Sequence, residues 1–215
     1  MTAPPGPEAI GELERDAVTE LLNIAIGRAA ASLSELVGDE LRLSVPFLEF
    51  LTPRQAAARL EAETGGSDTV AVRQHFDGRL SGDILLIFPE RRSLDLVRSI
   101  LGGQVPLDQL TELEQEALLE VGNIILNACL GSLANQLGLA VHSSLPVYLR
   151  GRGAHILDAG AARPAADSEL VLFVHVDFAM LRSDINGYLA FVMDIVAAQH
   201  FIDAVRGYVA ERLSG

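Results

Sequence analysis

The sequence is short of several things, and each shortage narrows what the protein can do. It has one cysteine, Cys129. No internal disulfide can form, which fits a reducing compartment and leads us to expect a cytoplasmic protein. Basic residues are outnumbered, 16 Lys and Arg against 29 Asp and Glu, for a formal net charge of −13. The basic clusters stop at Arg91-Arg92 and Arg150-Gly151-Arg152. No basic face is available for nucleic acid or for an anionic membrane, so neither is expected as a partner. The N-terminal "MTAPPGPEAIGELERD" has no basic region followed by an apolar run, unlike a secretory leader. Charges or glycines interrupt every apolar stretch before 18 residues, so no membrane span is expected. Neither a P-loop nor G-x-G-x-x-G occurs, and His75, His142, His155, His175 and His200 lack metal-ligand spacing. We therefore expect no metal site, and Cys129, at mid-helix among Ile, Leu and Ala, reads as a small buried apolar residue.

What is present is a regular alternation of elements. Residues 1–10 form a Pro-rich lead. From Gly11 to Val37, Leu13, Val18, Leu21, Leu22, Ala25, Ala29, Leu33 and Leu36 recur at steps of three and four. This is one face of a long amphipathic helix, with Gly38 as its stop. "LRLSVPFLEFL" (41–51) alternates like a strand. Pro46 inside it lacks an N–H and marks an edge or a bulge. A short helix and loop follow. Two strands, "TVAVRQHF" and "RLSGDILLIFP", flank Asp77-Gly78, a hairpin signal. "ERRSLDLVRSILGG" is a helix closed by a glycine pair.

The order then restarts. Residues 109–137 read as a second long helix stopped by Gly138, and "LAVHSSLPVYLR" as a strand containing Pro146. A loop rich in Gly, Ala and Pro covers about 150–168. Two more strands and a closing amphipathic helix complete the chain. Laid without a gap, residues 13–46 and 113–146 agree at 11 of 34 positions, where background composition gives about two or three. The agreements include Glu14/Glu114, Glu20/Glu120, Asn23/Asn123, Gly38/Gly138 and Pro46/Pro146. The period is too long for a solenoid, so this is a duplicated half-domain. We expect an α+β domain over 11–215, with half-repeats at about 11–103 and 109–213, each helix, three strands, helix. Two halves sharing one sheet would bury faces that one half alone would leave bare.

Helical spacing sets Asp16, Glu20, Asn23 and Gly27 in one row, and Glu116, Glu120, Asn123 and Asn127 in another. Both rows lie off the leucine stripe, toward solvent. Asn is a mediocre helix former, and a solvated face has no need of one. A carboxamide donates and accepts, so it can hold one water in a fixed orientation, and it is no base near neutral pH. A carboxylate one turn away can grip a cation such as a partner's lysine. Orientation of water plus a charge anchor suits phosphoryl transfer to water, where positioning and electrostatics do most of the catalysis.

"D-x-x-x-E-x-x-N" followed 23 residues later by Pro resembles the signature of the CheC/CheX/FliY family of chemotaxis phosphatases. Asp16, Glu20, Asn23 and Pro46 match it in full; Glu120, Asn123 and Pro146 match it again, with Glu116 where Asp or Ser is usual. Glu, Asn and Pro at fixed spacing arise by chance at about one start in ten thousand, and here they arise twice in register. The resemblance is closest to the two-site CheC type, with no FliY-like C-terminal module. It implies two long helices on one exposed face of a six-stranded, pseudo-twofold sheet. It implies the aspartyl phosphate of a CheY-like response regulator as substrate, Glu20 and Glu120 pairing with a regulator lysine, and Asn23 and Asn123 placing water. It also implies Mg²⁺ carried by the regulator, no cofactor of the protein's own, and binding to a CheD-type receptor deamidase. A non-catalytic scaffold for a receiver domain or for that deamidase would use the same residues. Asp16 and Glu116 would assist by charge, and Pro46 and Pro146 would shape the strand entry. Asn127 fills room that Gly27 leaves open, so the second site is expected to be the weaker.

Overall fold

The computed structural model describes residues 10–37, 40–100, 110–158, 169–180 and 183–214. Of the sequence expectations, the first nine residues, Gly38, the pair Gly102-Gly103 and positions 159–168 of the long loop lie outside the described residues. In chain order the elements are α1 (Glu12–Val37), β1 (Leu41–Ser44), β2 (Leu48–Leu51), α2 (Pro53–Thr64), β3 (Thr69–Gly78), β4 (Gly82–Pro89) and α3 (Glu90–Ile100). The second series is α4 (Leu110–Gln136), β5 (Val141–Ser143), β6 (Val147–Gly151), α5 (Gly153–Asp158), β7 (Glu169–Met180), β8 (Ser183–Asp194) and α6 (Ile195–Ser214).

The strand segments fill six positions of one antiparallel sheet. The order is β1-β7-β8-β4-β3-β5, with β2 also on β7 and β6 also on β3. Each outer position is thus one strand broken in two, and the breaks fall at 45–47 and 144–146, around Pro46 and Pro146. Proline cannot donate to a ladder, so the chain leaves the sheet there and rejoins it two or three residues later.

The pairing crosses between the halves. β1 and β2 of the first half lie on β7 of the second, Leu41 opposite Met180 and Leu48 opposite Val174. β5 and β6 of the second half lie on β3 of the first, Phe76 opposite Ser143 and Val72 opposite Tyr148. The seam is β4 on β8, with Leu85 opposite Ala190. Neither half owns a complete sheet.

Period-two alternation sends side chains to two faces. Val70, Val72, Phe76, Ile84, Leu86, Leu172, Val174 and Val176 join the larger core with α1, α3, α4 and α6. Ala71, Leu85, Ile87, Val171, Phe173 and Ala190 face a smaller core closed by Ala56 and Leu60 of α2 and Ile156 and Leu157 of α5. α2 is well specified locally: Thr52 caps it, Pro53 opens it, and the Thr52 N–H donates to Gln55 Oε1 at 2.9 Å. It closes at Gly65, left-handed with φ 61°.

Four details depart from the sequence expectations. The Asp77-Gly78 step is not the hairpin turn, because β3 runs through Gly78 and the connection is residues 79–81. Gly78 is required instead by a close crossing, since a Cβ there would meet the Ala140 carbonyl oxygen at 2.3 Å. α5 is a helix in a stretch expected to be loop. Leu13 and Leu36, at the ends of the α1 stripe, are exposed, whereas Val18, Leu21, Leu22, Ala25, Ala29 and Leu33 are buried. Among the described residues one segment, Leu113–Gln136, has the length and mean hydropathy (1.6) of a membrane-crossing helix. Half of that stretch is buried inside the fold, as befits a core helix.

Candidate functional site

α1 and α4 pack side by side over the sheet. Buried Val18, Leu21, Leu22, Ala25 and Ile26 fix the rotation of α1; Leu118, Val121, Ile125, Leu126 and Cys129 fix that of α4. The two polar rows are therefore turned outward together. Asp16, Glu20, Asn23 and Gly27 are exposed, as are Glu116, Glu120 and Asn127, while Asn123 is half-buried. Each Glu stands one helical turn from its Asn, the spacing that makes side chains neighbours.

Each Asn is held through its Oδ1, but by different partners. In the first half the Val45 backbone N–H donates to Asn23 Oδ1 at 3.0 Å. Val45 is the residue before Pro46, its side chain is buried, and its N–H lies off the ladder. The Asn–Pro register of the sequence is thus a physical link: the proline breaks the strand, and the asparagine accepts an N–H that the break releases. In the second half Asn123 Oδ1 accepts from Asn127 Nδ2 at 2.7 Å. Asn127 Oδ1 accepts from Ser143 Oγ at 3.2 Å and from Gln74 Nε2 at 3.3 Å. Gln74 Nε2 also donates to the Ser144 carbonyl at 2.7 Å. Leu145, the counterpart of Val45, is 86% exposed.

The carboxylates differ as well. Glu20 receives Arg212 from α6 at 3.5 Å, and Arg212 lies over the Tyr208 ring, 4.9 Å from its centroid. Among the described residues Glu120 has no side-chain partner. Glu14 and Glu114, also paired in the repeat, are anchors: Arg206 reaches Glu14 at 3.4 Å, and buried Glu114 accepts from Ser93 Oγ at 2.7 Å. Cys129 is fully buried, and burial pushes its thiol up to about 12. It carries no reactive thiolate near neutral pH.

Among the described residues, no group of three or more His, Cys, Asp or Glu side chains could hold a metal ion. A cleft of about 480 Å³ lies elsewhere, lined by Gly78, Arg79, Gly138, His200 and Asp203, and none of the Glu or Asn pairs borders it. The pairs stand on a ridge. A ridge cannot enclose a small substrate, but it can enter a pocket that a partner protein brings. Sequence reasoning missed Gln74. Its signal was there: a polar residue at an inward position of β3 between Val72 and Phe76.

No family model matches the chain. The chain is similar in sequence to curated CheC proteins. The CheY-P phosphatase CheC of Bacillus subtilis is 27% identical over 142 residues, covering 64% of this chain and 66% of the relative. The putative CheY-P phosphatase CheC1 of Halobacterium salinarum is 24% identical over 148 residues, 66% of this chain and 74% of the relative. The chain thus spans just under two thirds of the Bacillus protein. In fold it is similar to Thermotoga maritima FliY, with a TM-score of 0.73 and 19% identity over 94% of this chain and 98% of that one. The structure defines a class, an intertwined α+β duplication that displays two Glu–Asn ridges. In sequence the chain is thus similar to CheC-type phosphatases, and in fold to FliY.

Proposed function

We propose that this protein is a phosphatase that hydrolyses the aspartyl phosphate of a CheY-like response regulator in the cytoplasm. The observation that carries the reading is the doubled ridge: Glu20/Asn23 and Glu120/Asn123 face outward at equivalent positions, each Asn held from below by the strand break or its neighbours. The names of the two sequence relatives support it.

In this reading each Glu pairs with a lysine of the regulator and sets the docking register. The Asn enters the regulator's active site and holds a water in line with the phosphorus. The water oxygen bonds to phosphorus as the bond to the aspartyl oxygen breaks. Inorganic phosphate leaves, the regulator's carboxylate is restored, and the water's proton passes to phosphate. Mg²⁺ on the regulator offsets the charge on the phosphoryl oxygens. A carboxamide is apt because it orients water without competing as a nucleophile. Asp16 and Glu116 add negative charge for the lysine, and a CheD-type deamidase is a candidate second partner.

The test is the decay of a phosphorylated receiver domain from the same genome, with Mg²⁺, against Asn23→Ala, Asn123→Ala and the double variant. Wild type should speed decay, and the double variant should return it to the intrinsic rate with binding retained, the mark of a loss confined to the transition state. Binding without acceleration by wild type would overturn the reading and leave a scaffold.

A further inference from the structure

The two sites reach one geometry by different routes, and the polarity of the hydrogen bonds can be traced. A backbone carbonyl only accepts, so Gln74 must turn Nε2 toward Ser144. That nitrogen also meets Asn127, which must therefore present Oδ1. Asn127 is left with Nδ2 to offer along α4, and Asn123 receives it on Oδ1. Three hydrogen bonds thus carry the polarity of one carbonyl to Asn123: Oδ1 is held, and Nδ2 is free to face a partner. In the first half the Val45 N–H, which only donates, imposes the same polarity on Asn23 in one step.

The relay serves one site only. Tyr148 pairs with Val72 and Leu48 with Val174, so Gln74 corresponds to Val176, and Asn127 corresponds to Gly27. Val176 and Gly27 have no side-chain polar group, so both members of the hydrogen-bonded pair are missing together from the first site. Gln74 is 2% exposed, and among the described residues its Oε1 has no hydrogen-bond partner. A buried, half-satisfied carboxamide is costly where valine serves the fold in the other half. Packing alone does not account for Gln74.

The geometry points to Asn127, held by Gln74, as a positioning residue of the second site that locks the Asn123 carboxamide with Nδ2 outward. This rests on the phosphatase reading. It also explains Leu145: with Asn123 held from its own helix, the second strand break need not supply an N–H, and Leu145 is free to stand out beside the site.

The test is made in the Asn23→Ala background, where the second site alone turns over. Asn127→Asp keeps the shape and can still accept from Gln74 and Ser143, but it has no N–H to give. Asn123 would then turn Nδ2 inward and Oδ1 outward. We expect kcat to fall by about tenfold or more with KM within about twofold, and Asn127→Asp to be worse than Asn127→Ala, which only leaves Asn123 free to rotate. A purely structural role predicts the reverse order, and that order would overturn the inference, as would unchanged kcat. The second readout needs no regulator. In protein labelled with ¹⁵N-asparagine, the Asn123 side-chain amide signals should shift on Asn127→Asp and on Gln74→Val. No shift overturns the positioning role. A shift in a protein whose Asn23→Ala form has no turnover upholds the relay and overturns the phosphatase reading of the second site.

Discussion

Gly122 of α4 lies so close to Val72 of β3 that a Cβ on the glycine would stand 2.5 Å from Val72 Cγ1. The first half has Leu22 at this place, fully buried. Between Glu and Asn, then, the two varied residues adjust how each helix meets the sheet, while the ends of the motif are kept. Gly122→Ala should destabilise the protein by about 1–3 kcal/mol through overpacking, partly offset by about 1 kcal/mol of helix propensity. Val72→Ala should restore much of the loss, as a double-mutant cycle in urea would show. Gln74 lies two residues along β3, so second-site turnover should fall more than first-site turnover.

Asn23 serves the fold through Oδ1 and, in our reading, the reaction through its outward face. The two roles separate by substitution. Asn23→Ala leaves the Val45 N–H without its acceptor and should cost about 1–2 kcal/mol. Asn23→Asp still accepts that hydrogen bond, so its denaturation midpoint should stay near wild type while first-site turnover is lost. Equal stability losses in the two variants would show that the Val45 contact contributes nothing.

Arg212 occupies Glu20, the carboxylate assigned to a regulator lysine. Exposed pairs are worth about 0–1 kcal/mol, and salt weakens them. Arg212→Ala should therefore lower the first-site KM by no more than about fivefold at low ionic strength, with kcat unchanged. The second site, whose Glu120 has no such cation among the described residues, should be indifferent. A raised KM would mean that Arg212 helps bind the regulator.

Asp83 on β4 is 8% exposed, 3.7 Å from Arg73 and 3.4 Å from His75. Burial raises its pKa above 3.8, and Arg73 and His75 oppose the shift only in part. The folded state thus holds this proton more tightly than the unfolded one. The stabilisation is present in full below 3.8 and is lost as pH rises through the folded value. Asp83→Asn removes that dependence, so its stability relative to wild type should grow as pH rises through this window, measured by urea denaturation at several pH values. A relative stability that falls would mean the two cations outweigh burial.

Much of this architecture could be read from the chain, because periodicity reports burial. The leucine stripe of α1 and the alternation over 41–51 each state which side faces inward. The doubled Glu, Asn and Pro picked out the candidate site residues, and Pro46 marked a broken edge strand. The exchange of edge strands could not be read, since neighbours in sequence usually pair with each other and nothing in 41–51 names β7 as its partner. α5 is six residues long, too short to show a helical period. Asn127 was taken as a residue that fills space; only with Gln74 beside it, 53 positions away in sequence, does it become part of a relay.

The crossed pairing also dictates a timetable. Leu41 meets Met180, 139 residues further on. As the chain leaves the ribosome, β3 and β4 can zip at once, but β1 and β2 have no strand to lie on until β7 emerges. The N–H of Val45 sits between those two segments, so Asn23 gains its fixed partner only when most of the protein has been made. Contacts of such long range slow folding. The first site, early in the gene, is among the last parts of the molecule to take shape.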